Sequence, residues 1–249
     1  MLHISISAEP IFQIFGFTVT NALLTSWLVM LLLIGIALFL SARIKRADKI
    51  PGKFQNLMEF AIEKLIDFLE TVAGSRSAVI KFFPVVATIF LFILLSNWLG
   101  ILPGVGSLGF YHLEDGKQVF VPLFRSVNSD INMTLALALI VVTMSHVVGF
   151  ITIGLKNHLK KFFRLTGPID FFTGLLEIIS EFGKIISLTF RLFGNVFAGE
   201  ILLTIMVFLV PYLIPVPFLA LEIFVGFIQA LIFAVLAMMF LAQATEAHH

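Results

Sequence analysis

The chain reads as an all-α integral membrane protein: five membrane-crossing helices plus one amphipathic surface helix, ending in a long, strongly tilted C-terminal helical hairpin. Three observations lead there. Of 249 residues, 59% are hydrophobic and only 12% are charged. Soluble chains carry about a quarter charged residues, so half that share leaves too little polar surface to meet water. The apolar residues are gathered in runs long enough to cross about 30 Å of hydrocarbon. The charges fall mainly between those runs, except in one segment near the C-terminus that carries them along a helical face.

The first run, Val19 to Leu40, follows a stretch with no basic cluster, so it is expected to stay as a spanning helix rather than to act as a cleaved signal. Arg43, Lys45, Arg46, Lys49 and Lys53 come after it. The second span is expected from Phe82 to Leu102 and the third from Ile131 to Leu155, the latter followed by Lys156, Lys160, Lys161 and Arg164. The bias of Lys and Arg toward the cytoplasm puts both basic loops on that side. Residues 103 to 130 hold Glu114, Asp115 and Asp130 against Lys117 and Arg125, which fits an external loop and places the N-terminus outside with it.

Between the first two spans, Lys53 to Val72 repeats Glu59, Glu63, Asp67 and Glu70 at helical spacing opposite Phe54, Leu57, Met58, Ile62, Leu65, Ile66 and Leu69. That is an amphipathic helix entered through a turn at Pro51-Gly52. Three placements suit it: flat on the cytoplasmic membrane surface, against a partner, or packed as an ordinary surface helix.

Ile169 to Val210 is 42 residues without a proline, a helical length of about 63 Å, or twice a bilayer core. It is either two spans joined by a hidden turn or one long helix that is tilted or bent. Pro211, Pro215 and Pro217 then make a turn into a second apolar run, Val216 to Gln243. A steeply inclined hairpin is the favoured arrangement, and five crossings put the C-terminus in the cytoplasm. No internal repeat supports an inverted-repeat transporter.

Asp170, Glu177, Glu181, Lys184, Arg191 and Glu200 all lie in the 169–210 segment, where an arginine at mid-membrane costs roughly 3 kcal/mol on the mildest scale. At 100° per residue, Glu177, Lys184, Ser187 and Asn195 fall within about 40° of Arg191, Glu181 about 80° away, and Glu200 on the opposite side. On the last helix Glu222, Gly226 and Gln229 share a face, and antiparallel folding brings Glu222 and Gln229 toward the level of Glu200. Two carboxyls sharing a site of low dielectric are poorly accommodated as two charges, a condition suited to passing a proton. Arginine does not usefully release its proton, so Arg191 is a fixed charge. Simpler roles compete at other positions. Lys184 can snorkel to the interface, Glu177 and Glu181 can be wet interfacial groups, Asp130 can cap the third span, and His146 can be a hydrogen-bonded packing residue.

Several chemistries are excluded. With no cysteine there is no thiolate metal site, iron–sulfur cluster or disulfide. Neither a phosphate-cradling glycine loop nor paired metal histidines occur, so no cofactor and no metal are expected, and the short basic loops do not make a nucleic-acid surface. His248 and His249 read as a tail.

Ser187-Leu188-Thr189-Phe190-Arg191-Leu192-Phe193-Gly194-Asn195-Val196-Phe197-Ala198-Gly199-Glu200 closely resembles the signature helix of subunit a of the F-type ATP synthases. The resemblance extends over nearly the whole chain, through Pro51-Gly52-Lys53-Phe54-Gln55-Asn56, Phe83-Pro84 to Leu102-Pro103, Asp130-Ile131-Asn132-Met133-Thr134-Leu135, and Gln229-Ala230 to Ala242. It implies a stator that works with a rotating c-ring and a peripheral-stalk subunit b in a bacterial cytoplasmic membrane. It also implies transport of protons, or of sodium where the ring supplies such a site, with nucleotide chemistry on other subunits. The essential fixed charge facing the ring carboxylates would be Arg191. Asn195, Glu200, Glu222 and Gln229 would line an outer half-channel with Asp130 near its mouth, and Glu177, Ser187, Glu181 and Lys184 a cytoplasmic one. The position of Glu222 is histidine in some relatives, so a carboxylate pair here replaces a Glu–His pair. The rival readings are a stand-alone proton-coupled secondary transporter and a purely structural assembly subunit.

Overall fold

The computed structural model describes residues 8–14, 16–44, 52–102, 104–114, 117–162, 167–210 and 215–245. Lys45, Arg46, Lys49, Pro51, Pro103, Asp115, Arg164, Pro211, His248 and His249 lie outside the described residues. A short hairpin, β1 (Pro10–Ile14) with β2 (Phe17–Thr20), leads into α1 (Asn21–Ile44). Then come α2 (Lys53–Ala73) and α3 (Arg76–Gly100), followed by a second hairpin of β3 (Gly109–Glu114) and β4 (Lys117–Pro122). The chain continues through α4 (Ile131–Ile153) and the short α5 (Leu155–Phe162), and finishes with α6 (Pro168–Leu209) and α7 (Pro215–Gln243).

Five of these helices, α1, α3, α4, α6 and α7, are long and apolar enough to cross a membrane. The protein is therefore a multi-pass membrane protein closing in a long helical pair. Of the two possibilities for the segment before the proline-rich turn, the single helix is observed: α6 runs 42 residues without interruption. Pro168 opens it, where a missing N–H costs nothing, and Asp170 in its first turn suits the positive end of the helix dipole. At about 63 Å, a straight helix kept within 30 Å of hydrocarbon must incline by roughly 60°.

The amphipathic helix is α2, ended by Gly74 in the left-handed conformation (φ 67°), whose N–H reaches the Glu70 carbonyl. Leu69 is buried, but Phe54, Leu57, Phe60, Ile62 and Phe68 are exposed. Among the described residues, much of its apolar face is thus left exposed.

The chain divides into two compact units, one of residues Met1–Arg46, Ile89–Thr134 and Phe190–Leu231, the other of Ala47–Thr88, Leu135–Thr189 and Ile232–His249. In the first, Val29, Ile93, Val127, Leu192 and Ala230 are buried. The start of α1 ties its loops together. Asn21 Oδ1 accepts from the N–H groups of Ala22 (2.9 Å) and Glu9 (3.2 Å), and Asn21 Nδ2 donates to the Pro122 carbonyl (3.4 Å). In the second unit the buried side chains include Leu69, Val79, Val141, Leu188, Phe233 and Met238. The β3–β4 hairpin and α5 had no expectation from sequence: the region 103–130 read as a loop, and α5 merged with the basic segment after the third span.

Replacing Asn21 by Ala removes the acceptor of the Ala22 and Glu9 N–H groups and the tie to Pro122 together. The expected cost is about 1–2 kcal/mol, visible as a lower thermal unfolding midpoint of the purified protein in detergent.

Candidate functional site

In the first unit, polar side chains from distant parts of the sequence converge. The segment after β4 is pinned to α1 by the Arg125 N–H, which donates to Thr25 Oγ1 (3.2 Å). That fixes the Arg125 side chain, 8% exposed, so that its Nε reaches Ser129 Oγ at 3.1 Å and the Glu200 carboxylate of α6 at 3.2 Å. Glu200, 37% exposed in its side chain, is thereby held by a neighbouring cation. The ion pair spans 75 residues of sequence.

Around it, α3 taps the backbone of α7. Asn97 Nδ2 donates to the Gly226 carbonyl (3.0 Å) and Trp98 Nε1 to that of Ile223 (3.1 Å), while Asn97 Oδ1 accepts from Asn128 Nδ2 (2.8 Å). Asn195 of α6 donates to Gln229 Oε1 of α7 at 2.7 Å, with Gln229 buried. The Glu222 carboxyl lies against the backbone of Gly199, where a Cβ would overlap it. The glycine lets the two helices approach closely enough for that carboxyl to fit.

Asn97, Arg125, Glu200 and Glu222 of this set border a cavity of about 590 Å³, with Ser126 and Thr204 also in its lining. At about 30 Å³ per water molecule in the liquid, it has room for a connected file of water. The two carboxyls read from sequence as neighbours do share this cavity, but the charge set against Glu200 is Arg125. Asp130 has another contact: its Oδ1 accepts from the Asn132 N–H (3.0 Å) and Nδ2 (3.1 Å) at the start of α4, a helix cap, and it is absent from the cavity lining.

Arg191, Ser187 and Asn195 are all exposed along α6, and Ile186 and Phe190 beside them are exposed too. In the second unit, Lys184 Nζ donates to Glu181 Oε1 (2.8 Å) and stands over the Phe240 ring, and His146 of α4 faces the other Glu181 oxygen. Glu177 is half-buried on the same helix. Lys184 is thus engaged with a carboxylate rather than extended alone toward an interface.

A family profile described as ATP synthase A chain matches residues 23–242. The chain belongs to the ATP synthase A chain family. It is 37% identical over 228 residues to ATP synthase subunit a 1 of Syntrophotalea carbinolica, covering 90% of this chain and 85% of that protein. It is 38% identical to ATP synthase subunit a of Syntrophobacter fumaroxidans (90% and 84% covered) and 35% identical to that of Gloeobacter violaceus (92% and 85%). Membership of the A chain family makes the chain a non-catalytic component of an ATP synthase and does not favour a stand-alone carrier.

Sequence reasoning missed Arg125, Asn97 and Asn128 as parts of this site. Arg125 was counted only in the charge balance of a loop; its one signal was a basic residue close ahead of an apolar run, with no periodicity to link it to Glu200.

Two outcomes are expected. Arg125→Ala leaves Glu200 without its cation and costs about 1–3 kcal/mol, less than a fully buried pair because Glu200 is partly exposed; thermal unfolding of the complex measures it. Since the chain has no cysteine, Thr204→Cys in the cavity wall should react with a water-soluble methanethiosulfonate, whereas Ala230→Cys, at a fully buried position, should not.

Proposed function

We infer that the protein is the stator of the membrane sector of an ATP synthase, carrying protons to and from a rotating ring of small subunits through two offset half-channels. The observation that carries this reading is the surface of α6: Arg191, a permanent cation, is presented outward among exposed Ile186 and Phe190. An arginine displayed on an apolar outer surface suits an apolar partner bearing carboxylates. There it holds a passing carboxylate ionised and bars direct movement of a proton from one side to the other.

The outer half-channel is the cavity of Glu200 and Glu222, extended by Asn195 and Gln229, with Arg125 fixing Glu200 and Asp130 holding the start of α4 behind Ser129. The cytoplasmic half-channel is carried by Glu177, Glu181, Lys184 and Ser187. A proton entering from outside neutralises a ring carboxylate, rides around, and is released on the other side as Arg191 meets that carboxylate. Each charge crossing 100 mV delivers about 2.3 kcal/mol, so several crossings are needed for one nucleotide. The nucleotide chemistry belongs to other subunits.

The two hairpins support the orientation. β2 precedes α1 directly and β4 leads to Pro122, whose carbonyl Asn21 reaches, which supports one shared face for the N-terminal segment and the 103–130 loop; the bias of Lys and Arg toward the cytoplasm favours that face being outside, with the basic segments and the C-terminus within. Subunit b of the peripheral stalk is the second partner, and a bacterial cytoplasmic membrane is the location. The exposed apolar face of α2 suits the surface of that membrane.

The test is ATP-driven acidification of inverted membrane vesicles. Arg191→Ala is expected to abolish pumping in a fully assembled complex, and Glu200→Gln to slow it about tenfold or more. Normal pumping by the assembled Arg191→Ala complex would sink the assignment.

A further inference from the structure

The most specific arrangement outside the groups already given roles is a pair of histidines in the second unit. His146 Nδ1 of α4 lies 3.2 Å from His158 Nε2 of α5, a hydrogen bond that requires one nitrogen to donate and the other to accept. The other nitrogen of His146, Nε2, is 3.7 Å from Glu181 Oε2 of α6. Glu181 Oε2 is buried and has no hydrogen-bond partner among the described residues, while Lys184 Nζ donates to Oε1. The carboxylate is therefore split between its two oxygens: one is held by an ammonium, the other is turned toward an imidazole.

The pair is tightly housed. His146 stacks on Phe150 (26° between planes), and both imidazoles pack against Phe162, with ring centroids 6.0 and 5.6 Å away. His158 crosses Phe150 at 4.7 Å. The ring of His158 also lies on the backbone of Gly149, where a Cβ would strike it at 2.5 Å. His158 is buried, yet Lys156, Asn157, Leu159 and Lys160 around it on α5 are exposed. Among the described residues, Glu181 and Lys184 of α6 face His146, which with His158 joins α4 to α5, and α7 carries only apolar residues and Gln243 from Ile232 to Gln243.

We propose that His146 and His158 form a two-imidazole proton relay that joins Glu181 to the aqueous edge of α5, completing the cytoplasmic half-channel. The proposal rests on reading the α6 carboxylates as that half-channel. In the outward step toward the cytoplasm, protonated Glu181 gives its proton from Oε2 to Nε2 of neutral His146. The imidazolium gives its Nδ1 proton to Nε2 of neutral His158, which releases one to water at the rim. One proton enters and one leaves. Both imidazoles end with their proton on Nε2, and exchange with water, which reaches the His146 ring (28% exposed), returns them to the starting tautomer, one proton leaving His146 Nε2, one passing back between the rings and one arriving at His158 Nδ1. The 3.7 Å gap closes by a small rotation of the same ring, in keeping with the looser geometry of proton-transfer groups at rest. ATP-driven pumping runs the same steps in reverse.

The experiment compares ATP-driven acidification of inverted vesicles for the unaltered complex, His146→Gln, His158→Gln and Arg191→Ala, with subunit co-purification as the assembly check. Each histidine variant is expected to pump about tenfold more slowly near neutral pH. Added imidazole should restore a His158→Ala complex, while pyrazole, similar in shape but far less basic, should not. Undiminished pumping by an assembled His158→Gln complex overturns the relay, as does equal rescue by pyrazole, which would make the role one of packing. If His146→Gln does not assemble, His158→Gln on the peripheral helix decides. Arg191→Ala keeps the two readings apart: silence there with normal pumping in the histidine variants removes the relay alone, whereas normal pumping there removes the half-channel reading itself.

Discussion

Everything polar in this chain answers to one constraint: hydrocarbon offers no hydrogen bonds and no counter-charge, so each polar group in a span needs a protein partner or water. The structure meets it by reaching across the sequence. The guanidinium that serves Glu200 comes from a loop 75 residues earlier, and the amide that serves the α7 backbone comes from α3, 129 residues from Gly226. A chain cut anywhere between those partners would leave a charge or a carbonyl stranded in an apolar setting, so the same bonds that equip the cavity also hold the helices in register.

That division explains what could be read from the residues alone. Hydrophobic runs declare helices because a span needs about 20 apolar residues in a row, and the five long helices were legible for that reason. The polar stripe of α6 was legible because helical periodicity places Lys184, Ser187, Arg191 and Asn195 on one face without knowledge of any neighbour. Arg125 was not, because its role depends on which helix its loop meets. The β3–β4 hairpin was hidden by a mixed sequence, Gly109 to Pro122, with too short an alternation to stand out. His146 looked like a packing residue because its partner His158 sits beyond a helix break at Gly154 (φ 87°), in a segment that read only as basic.

The glycines at the site act by absence. Gly199 is where Glu222 rests and Gly149 is where His158 rests. In both cases an ionisable group is placed against bare helix backbone, where the missing Cβ leaves it room. Small residues at helix contacts in membranes are usually read as aids to packing; here the space they leave is taken by titratable side chains.

Two clusters of ionisable groups stand in or beside the spans, Arg125, Glu200 and Glu222 in one unit and His146, His158, Glu181 and Lys184 in the other. Between Lys184 and Glu200 in sequence the one charge is Arg191, which cannot usefully give up its proton. A chain of groups able to exchange protons from one membrane face to the other would dissipate the gradient that drives the machine, at about 2.3 kcal/mol for each charge lost per 100 mV. In the reading proposed above, two relays separated by a permanent cation avoid that loss: they conduct only when something outside the chain accepts a proton from one and delivers it to the other, and so a channel protein becomes half of a motor.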